Sequence, residues 1–214
     1  MKVKLNLPRD HFSYSQMDLW LKNREAYRER YYRGGPSFEN TATIFGKRIA
    51  KMLEDGVADP VLDKVPKYQF MEHRIELKVN GIPFLGVMDS FSKRMKSFYE
   101  YKTGKEKWDQ LRAEKHSQLV VYALLTKLKY GTFDPWAKLV WIETRNRPET
   151  RTFDGHDLEG NSNEIEFTGK IQIFHRKIEN WELNRMKQLI KKTALAISED
   201  YTKFQHEEKI RKNI

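Results

Sequence analysis

Asp89, Glu100 and Lys102 are the side chains of this sequence whose types and spacing best suit chemistry. Side chains at i and i+2 of a strand share a face, so Glu100 and Lys102 of Tyr99-Glu100-Tyr101-Lys102 point the same way. If residues 85–90 and 97–102 pair as an antiparallel hairpin, its midpoint falls between Arg94 and Met95. Asp89 then stands opposite Glu100, with Cβ atoms about 5 Å apart. Two carboxylates so placed repel one another in isolation but make an oxygen site for a divalent cation. An ammonium beside that ion can orient a water and offset charge on a phosphate. The same residues also fit an exposed cross-strand ion-pair ladder, and a bulge would shift the register by one and turn Asp89 away.

Glu-x-Lys alone carries little information, since it recurs at Glu76/Lys78, Glu100/Lys102 and Glu207/Lys209. The first fits the solvent face of an alternating strand and the last lies in a charged tail. Context sets Glu100/Lys102 apart: an apolar strand, Asp89 after Gly86-Val87-Met88, and a Thr103-Gly104 exit.

The elements that must position these residues follow from periodicity and turn chemistry. Ser15 is a candidate N-cap for a helix over Gln16 to Tyr32, ended by Gly34-Gly35-Pro36. A second helix covers Thr43 to Glu54 and stops at Asp55-Gly56. Tyr68 to Val79 alternates, imperfectly at its start, and Asn80-Gly81 favours a tight hairpin into a return strand over Ile82 to Phe91. Lys96 to Lys102 forms the third strand, and helix returns from Trp108 to Lys129. Strands near Ala137–Thr144 and Glu164–Phe174 flank a polar loop, Arg147–Asn163, and a last helix runs from Asn180 to Gln205. This order (α, α, three strands, α, two strands, α) predicts an α/β (α+β) fold with a mixed central sheet flanked by helices. It alternates too little for a doubly wound nucleotide fold. No G-x-G-x-x-G or Walker A sequence is present, so no nucleotide cofactor is expected.

Length and composition narrow the classes further. A chain of 214 residues suits a single domain over 1–214. Aromatics at 13% argue against a disordered chain. The absence of cysteine excludes disulfides, thiolate zinc sites, iron–sulfur clusters and cysteine nucleophiles. No apolar run reaches the length of a membrane span and the N-terminus lacks a signal peptide's apolar stretch, so a cytoplasmic protein without membrane contact is expected. The net charge of +10 favours a polyanion such as nucleic acid.

Gly86-x-x-Asp89, Glu100-x-Lys102-Thr103-Gly104 and Gln118-Leu119-x-x-Tyr122-Ala123, taken in order, resemble the PD-(D/E)xK nuclease superfamily, specifically its RecB-like exonuclease branch. Ser13-Tyr14-Ser15 before an aromatic-rich helix, and Phe45-Gly46 eight residues before Glu54, match the same branch. The resemblance covers roughly residues 13–130. It implies a restriction-endonuclease-like αβββαβ core and metal-dependent hydrolysis of DNA, to a 5′-phosphate and a 3′-hydroxyl, in recombination, repair or phage DNA processing. By motif, Asp89 and Glu100 would bind Mg²⁺ or Mn²⁺ and Lys102 would assist the attacking water. The Tyr101 carbonyl would complete the metal shell and Glu54 would support it. Gln118 and Tyr122, one turn apart on a helix, would contact substrate phosphate. The implied partner is DNA, as single strands or duplex ends, with a homo-oligomer or a recombination or replication protein as further partners.

One departure bears on activity. The branch often carries His four residues after the first-motif Gly, where this chain has Ala50. The alternative reading is therefore a nucleic-acid-binding protein that keeps the nuclease fold with little or no catalysis. The six histidines show no metal-ligand spacing, although His116 lies two residues before Gln118. Lys105 and Lys107 could touch DNA backbone or be solvated. Arg24, Arg28, Arg30 and Arg33 could track phosphate or pair with Glu25 and Glu29. Trp20, Tyr27, Tyr31 and Trp181 are expected in the core.

Overall fold

Asn80 and Gly81 take φ of 51° and 85°, which turns the chain tightly between β2 (Phe70–Val79) and β3 (Ile82–Ser92). The computed structural model describes residues 5–36, 41–146 and 165–212; the expected loop at Arg147–Asn163 lies outside them. β3 pairs antiparallel with β4 (Ser97–Gly104), which pairs in parallel with β5 (Trp136–Asn146), and β5 pairs antiparallel with β6 (Ile165–Lys177). A two-residue strand not anticipated from sequence, β1 (Phe12–Ser13), runs parallel to β3 at Phe84 and Leu85. The result is a six-stranded mixed sheet in the order β1-β3-β4-β5-β6, with β2 on the other edge of β3.

Helices cover both faces. α5 (Ser117–Tyr130) packs on β2, β3, β5 and α6 (Asn180–Lys212), and α6 also meets α1 (Tyr14–Lys22). These elements enclose the larger core, which includes Met17, Trp20, Phe84, Met88, Leu125 and Ile190. α3 (Thr41–Asp55) closes the opposite face over β4, β2 and β6, burying Ile49 and Leu53 against Val140 and Ile142. α3 buries an apolar stripe, whereas α5 is buried all round from Leu119 to Thr126, and removing these surfaces from water holds the layers together. α2 (Arg24–Tyr31) is tied to α6 by Arg28, whose guanidinium donates to both oxygens of Asp200 at 2.9 and 2.5 Å.

Several expected boundaries move. The helix expected over Gln16–Tyr32 is two helices, because Asn23 takes extended angles (φ −154°, ψ 95°) and its side chain caps α2 by accepting from the Ala26 N–H at 3.0 Å. Ser13, not Ser15, caps α1 through the Gln16 N–H. The helix expected from Trp108 to Lys129 divides into α4 (Gln110–Glu114), capped by Asp109, and α5. α6 continues through the tail to Lys212. Trp181 is 61% exposed rather than in the core, while Trp20 and Tyr27 are buried and Tyr31 packs against them. Among the described residues no helix is long and apolar enough to cross a membrane.

Candidate active site

The site forms where the sheet splits. Both β4 and β1 lie on the edge of β3 away from β2: β4 pairs at Ser90–Ser92 and β1 at Phe84–Leu85. Residues Gly86 to Asp89 between them have no strand partner on that edge. The β3–β4 register (Ser90 with Tyr99, Phe91 with Phe98) extends to set Asp89 opposite Glu100, as the hairpin arithmetic requires. There the ladder stops and a side chain takes over: the Tyr101 N–H donates to Asp89 Oδ2 at 2.6 Å. This bond fixes the carboxylate at the point where β4 swings away to β5.

Lys102 Nζ donates to Glu100 Oε1 at 2.6 Å and to Gln118 Oε1 at 3.0 Å. Gln118 Nε2 donates to Tyr122 Oη at 2.8 Å, and the Tyr122 hydroxyl donates to the Val87 carbonyl on the unpaired stretch of β3. Gln118 and Tyr122 face the site together because they lie one turn apart on α5. The chain of contacts leaves Lys102 one defined position.

Charge and burial oppose each other here. Burial and the Glu100 carboxylate push the Asp89 carboxyl well above its ordinary range, despite the Tyr101 N–H. Burial alone would lower the Lys102 ammonium, but Glu100 holds it above its ordinary value. Burial and the nearby acids likewise push Tyr122 up, so its hydroxyl stays protonated. Burial and then Lys102 lower His116 to about 4, which keeps that ring neutral.

A cleft of about 500 Å³ opens onto Asp89, Glu100, Tyr101, Lys102 and Thr103, with α3 forming its other wall through Thr43, Gly46, Lys47 and Ala50. Of the residues expected from sequence, it brings together Asp89, Glu100, Tyr101 and Lys102, and Ala50 does face it. Glu54 is not part of the lining: it lies two helical turns, about 12 Å, beyond Gly46, and its carboxylate sits 3.1 Å from Lys51 Nζ. Lys105 is exposed just past β4, also outside the lining. Gln118 and Tyr122 line a neighbouring cleft of about 570 Å³ with Ser13, Tyr14, Lys22 and Gly86. Sequence reading did not single out Thr43 and Lys47; their spacing from Gly46 and Ala50 (i, i+3, i+4, i+7) is the helical-face pattern that would have found them.

The donor set fits a hard divalent cation. Glu100 is 2% exposed and its Oε2 has no hydrogen-bond partner, an expensive state for a buried carboxylate oxygen unless a cation or water meets it. Among the described residues no three His, Asp or Glu side chains are grouped to hold an ion by themselves. Asp89 and Glu100 would therefore need a backbone carbonyl and water to fill the shell, as Mg²⁺ accepts.

Comparison with known proteins bears on the fold. No protein-family model matches the chain, and no curated protein matches its sequence. Among solved structures, it is similar to a protein of Eubacterium rectale that carries a provisional exonuclease name, at a TM-score of 0.58 and 11% identity, covering 90% of this chain and 82% of that one. It is also similar to a phage-related exonuclease of Haemophilus somnus 129PT, at a TM-score of 0.50 and 14% identity, covering 86% and 81% of the two chains. The mixed sheet flanked by helices is thus an architecture shared with proteins named as exonucleases.

Proposed function

We propose that the chain is a metal-dependent deoxyribonuclease of the PD-(D/E)xK kind, RecB-like, that removes nucleotides from DNA ends. The observation that carries this reading is the buried Asp89–Glu100 pair, with Glu100 Oε2 unpartnered and Lys102 held beside it. The shared fold with two exonuclease-named proteins supports it. Asp89 and Glu100, completed by the Tyr101 carbonyl, would hold Mg²⁺ or Mn²⁺; that ion supplies positive charge to phosphate oxygens and acidity to a coordinated water. Asp89 keeps its orientation through the Tyr101 N–H. Lys102 Nζ orients the attacking water and offsets the charge that builds on the phosphate. Gln118 and Tyr122 hold Lys102 in line and present an amide and a hydroxyl toward the neighbouring cleft, where the strand would lie. Attack of water on phosphorus breaks the P–O3′ bond and leaves a 5′-phosphate and a 3′-hydroxyl. Work in recombination, repair or phage DNA processing, with DNA as the partner, follows from the resemblance.

Ala50 favours a second reading. It occupies the cleft wall where the branch often has an imidazole ligand, so a nucleic-acid-binding protein with little catalysis is the alternative. End-labelled single- and double-stranded DNA incubated with Mg²⁺, Mn²⁺ or EDTA separates the two. The nuclease reading expects mononucleotide release in either metal and none in EDTA. Intact DNA under every metal, with binding that does not depend on metal, would instead establish the second.

A further inference from the structure

Lys22 lines two clefts: the one of about 570 Å³ that Gln118 and Tyr122 face, and a second of about 510 Å³. Trp108, Asp109, Leu111, Arg112, Lys115 and His116 form the rest of the second. It opens beside α4, on the connection from β4 to α5. A strand lying in the first cleft reaches the second past Lys22.

A column of rings gives the second cleft a firm floor. The Tyr14 ring, which lines the first cleft, meets His116 edge-on at 6.3 Å, and His116 meets Trp108 edge-on at 5.3 Å. Arg112 completes the column, its guanidinium 4.3 Å over the Trp108 ring. Trp108 itself is 8% exposed, so the surface the column offers is Arg112, with Leu111 beside it at 58%.

Charge here is one-sided. Asp109 is the one acid among the described lining residues and is spent as the α4 cap, accepting from the Arg112 N–H at 2.7 Å. Lys115 makes no ion pair among the described residues. Lys22 reaches Asp18 at 2.8 Å and Arg112 reaches Glu106 at 3.3 Å, but both are surface pairs that solvent screens. Three cations and an exposed stacking surface are the combination that takes a phosphate backbone with its bases turned out.

We propose that this second cleft holds an unpaired nucleotide of the DNA strand, its base stacked on Arg112 and its phosphates met by Lys22 and Lys115. Stacking on a side chain needs an open base face, which a paired base inside a duplex does not present. The cleft therefore selects DNA with an unpaired end, a preference that rests on the DNA reading of the site given above.

The test uses single-stranded DNA carrying 2-aminopurine at successive positions from its end, because the fluorescence of that base follows its stacking. EDTA is present so that no cleavage intervenes. Wild type is compared with Arg112→Ala and Arg112→Lys; the lysine keeps the charge and removes the plane. The Arg112 side chain is 44% exposed, so both variants keep the fold. Binding to wild type should change the signal at a position that both variants then silence, while the other positions respond as before. Both variants should also lower the ratio of single-strand to blunt-duplex affinity, by about 5–100-fold in anisotropy titrations. An unchanged ratio in Arg112→Lys, or 2-aminopurine signals that match wild type at every position, overturns the inference while leaving DNA binding standing. Wild type that binds neither DNA overturns the DNA reading as well.

Discussion

Because Asp89 holds its proton more tightly in the folded chain than in the unfolded one, it contributes stability that is fully present below its ordinary value of 3.8 and is lost as pH rises through its raised folded value. Asp89→Asn removes that titration and keeps an oxygen for the Tyr101 N–H. The metal-free variant should therefore melt higher than wild type at neutral pH, by roughly 2–4 °C for each kcal/mol recovered. Added Mn²⁺ should raise the wild-type midpoint and leave the variant's unchanged; scanning calorimetry with and without the ion checks both. His116 behaves oppositely. Its folded value of about 4 lies below the ordinary 6.5, so its contribution is complete above 6.5 and is lost as pH falls toward 4. That slope should be worth up to about 3 kcal/mol, less what partial exposure screens, and should flatten in His116→Phe when urea denaturation is repeated across this window. At this scale the sequence was readable where spacing alone fixes geometry: strand alternation and hairpin arithmetic gather Asp89, Glu100 and Lys102. Glu54 lies outside the lining of this cleft, and a match along a helix does not say which turn faces it.

Elements decide how closely these residues approach. α5 lies so near β3 at Gly86 that a Cβ there would come within 2.3 Å of Leu125 Cδ1, a side chain with no exposure. Gly86→Ala must shift the buried Leu125 side chain, and with it the packing of α5 on β3, and we expect a loss of about 1–3 kcal/mol in denaturant unfolding. The same shift would loosen the Tyr122–Val87 contact, so activity should fall more than stability alone explains. Helix and strand identities were legible because their periods differ, but interruptions were not. Asn23 ends α1 and caps α2 without breaking the apolar spacing that Trp20, Tyr27 and Tyr31 carry across it. β1 escaped notice because two residues carry no period, and α6 ran past its expected end. The imperfect alternation at the start of β2 was a real signal: Glu72 there takes a left-handed φ of 46°, and the pairing with β3 skips it.

Charge acts on the whole molecule. The net +10 should make DNA binding fall steeply with salt, by at least about tenfold between 50 and 200 mM, in fluorescence anisotropy titrations run in EDTA. A shallow dependence would mean that the basic surface does not track phosphate. Sequence gave no view of which face of the molecule the strand crosses, since that depends on the split between β3 and β4 and on the two clefts beside it. The central claim is that the carboxylates at this split and the lysine beside them hydrolyse DNA. Single-turnover cleavage of 5′-labelled DNA in Mn²⁺, comparing wild type with Lys102→Ala, tests it most directly. We predict that the variant folds, binds DNA and Mn²⁺, and cleaves at least about 100-fold more slowly. Equal cleavage by the two proteins would contradict the account and place the chemistry elsewhere.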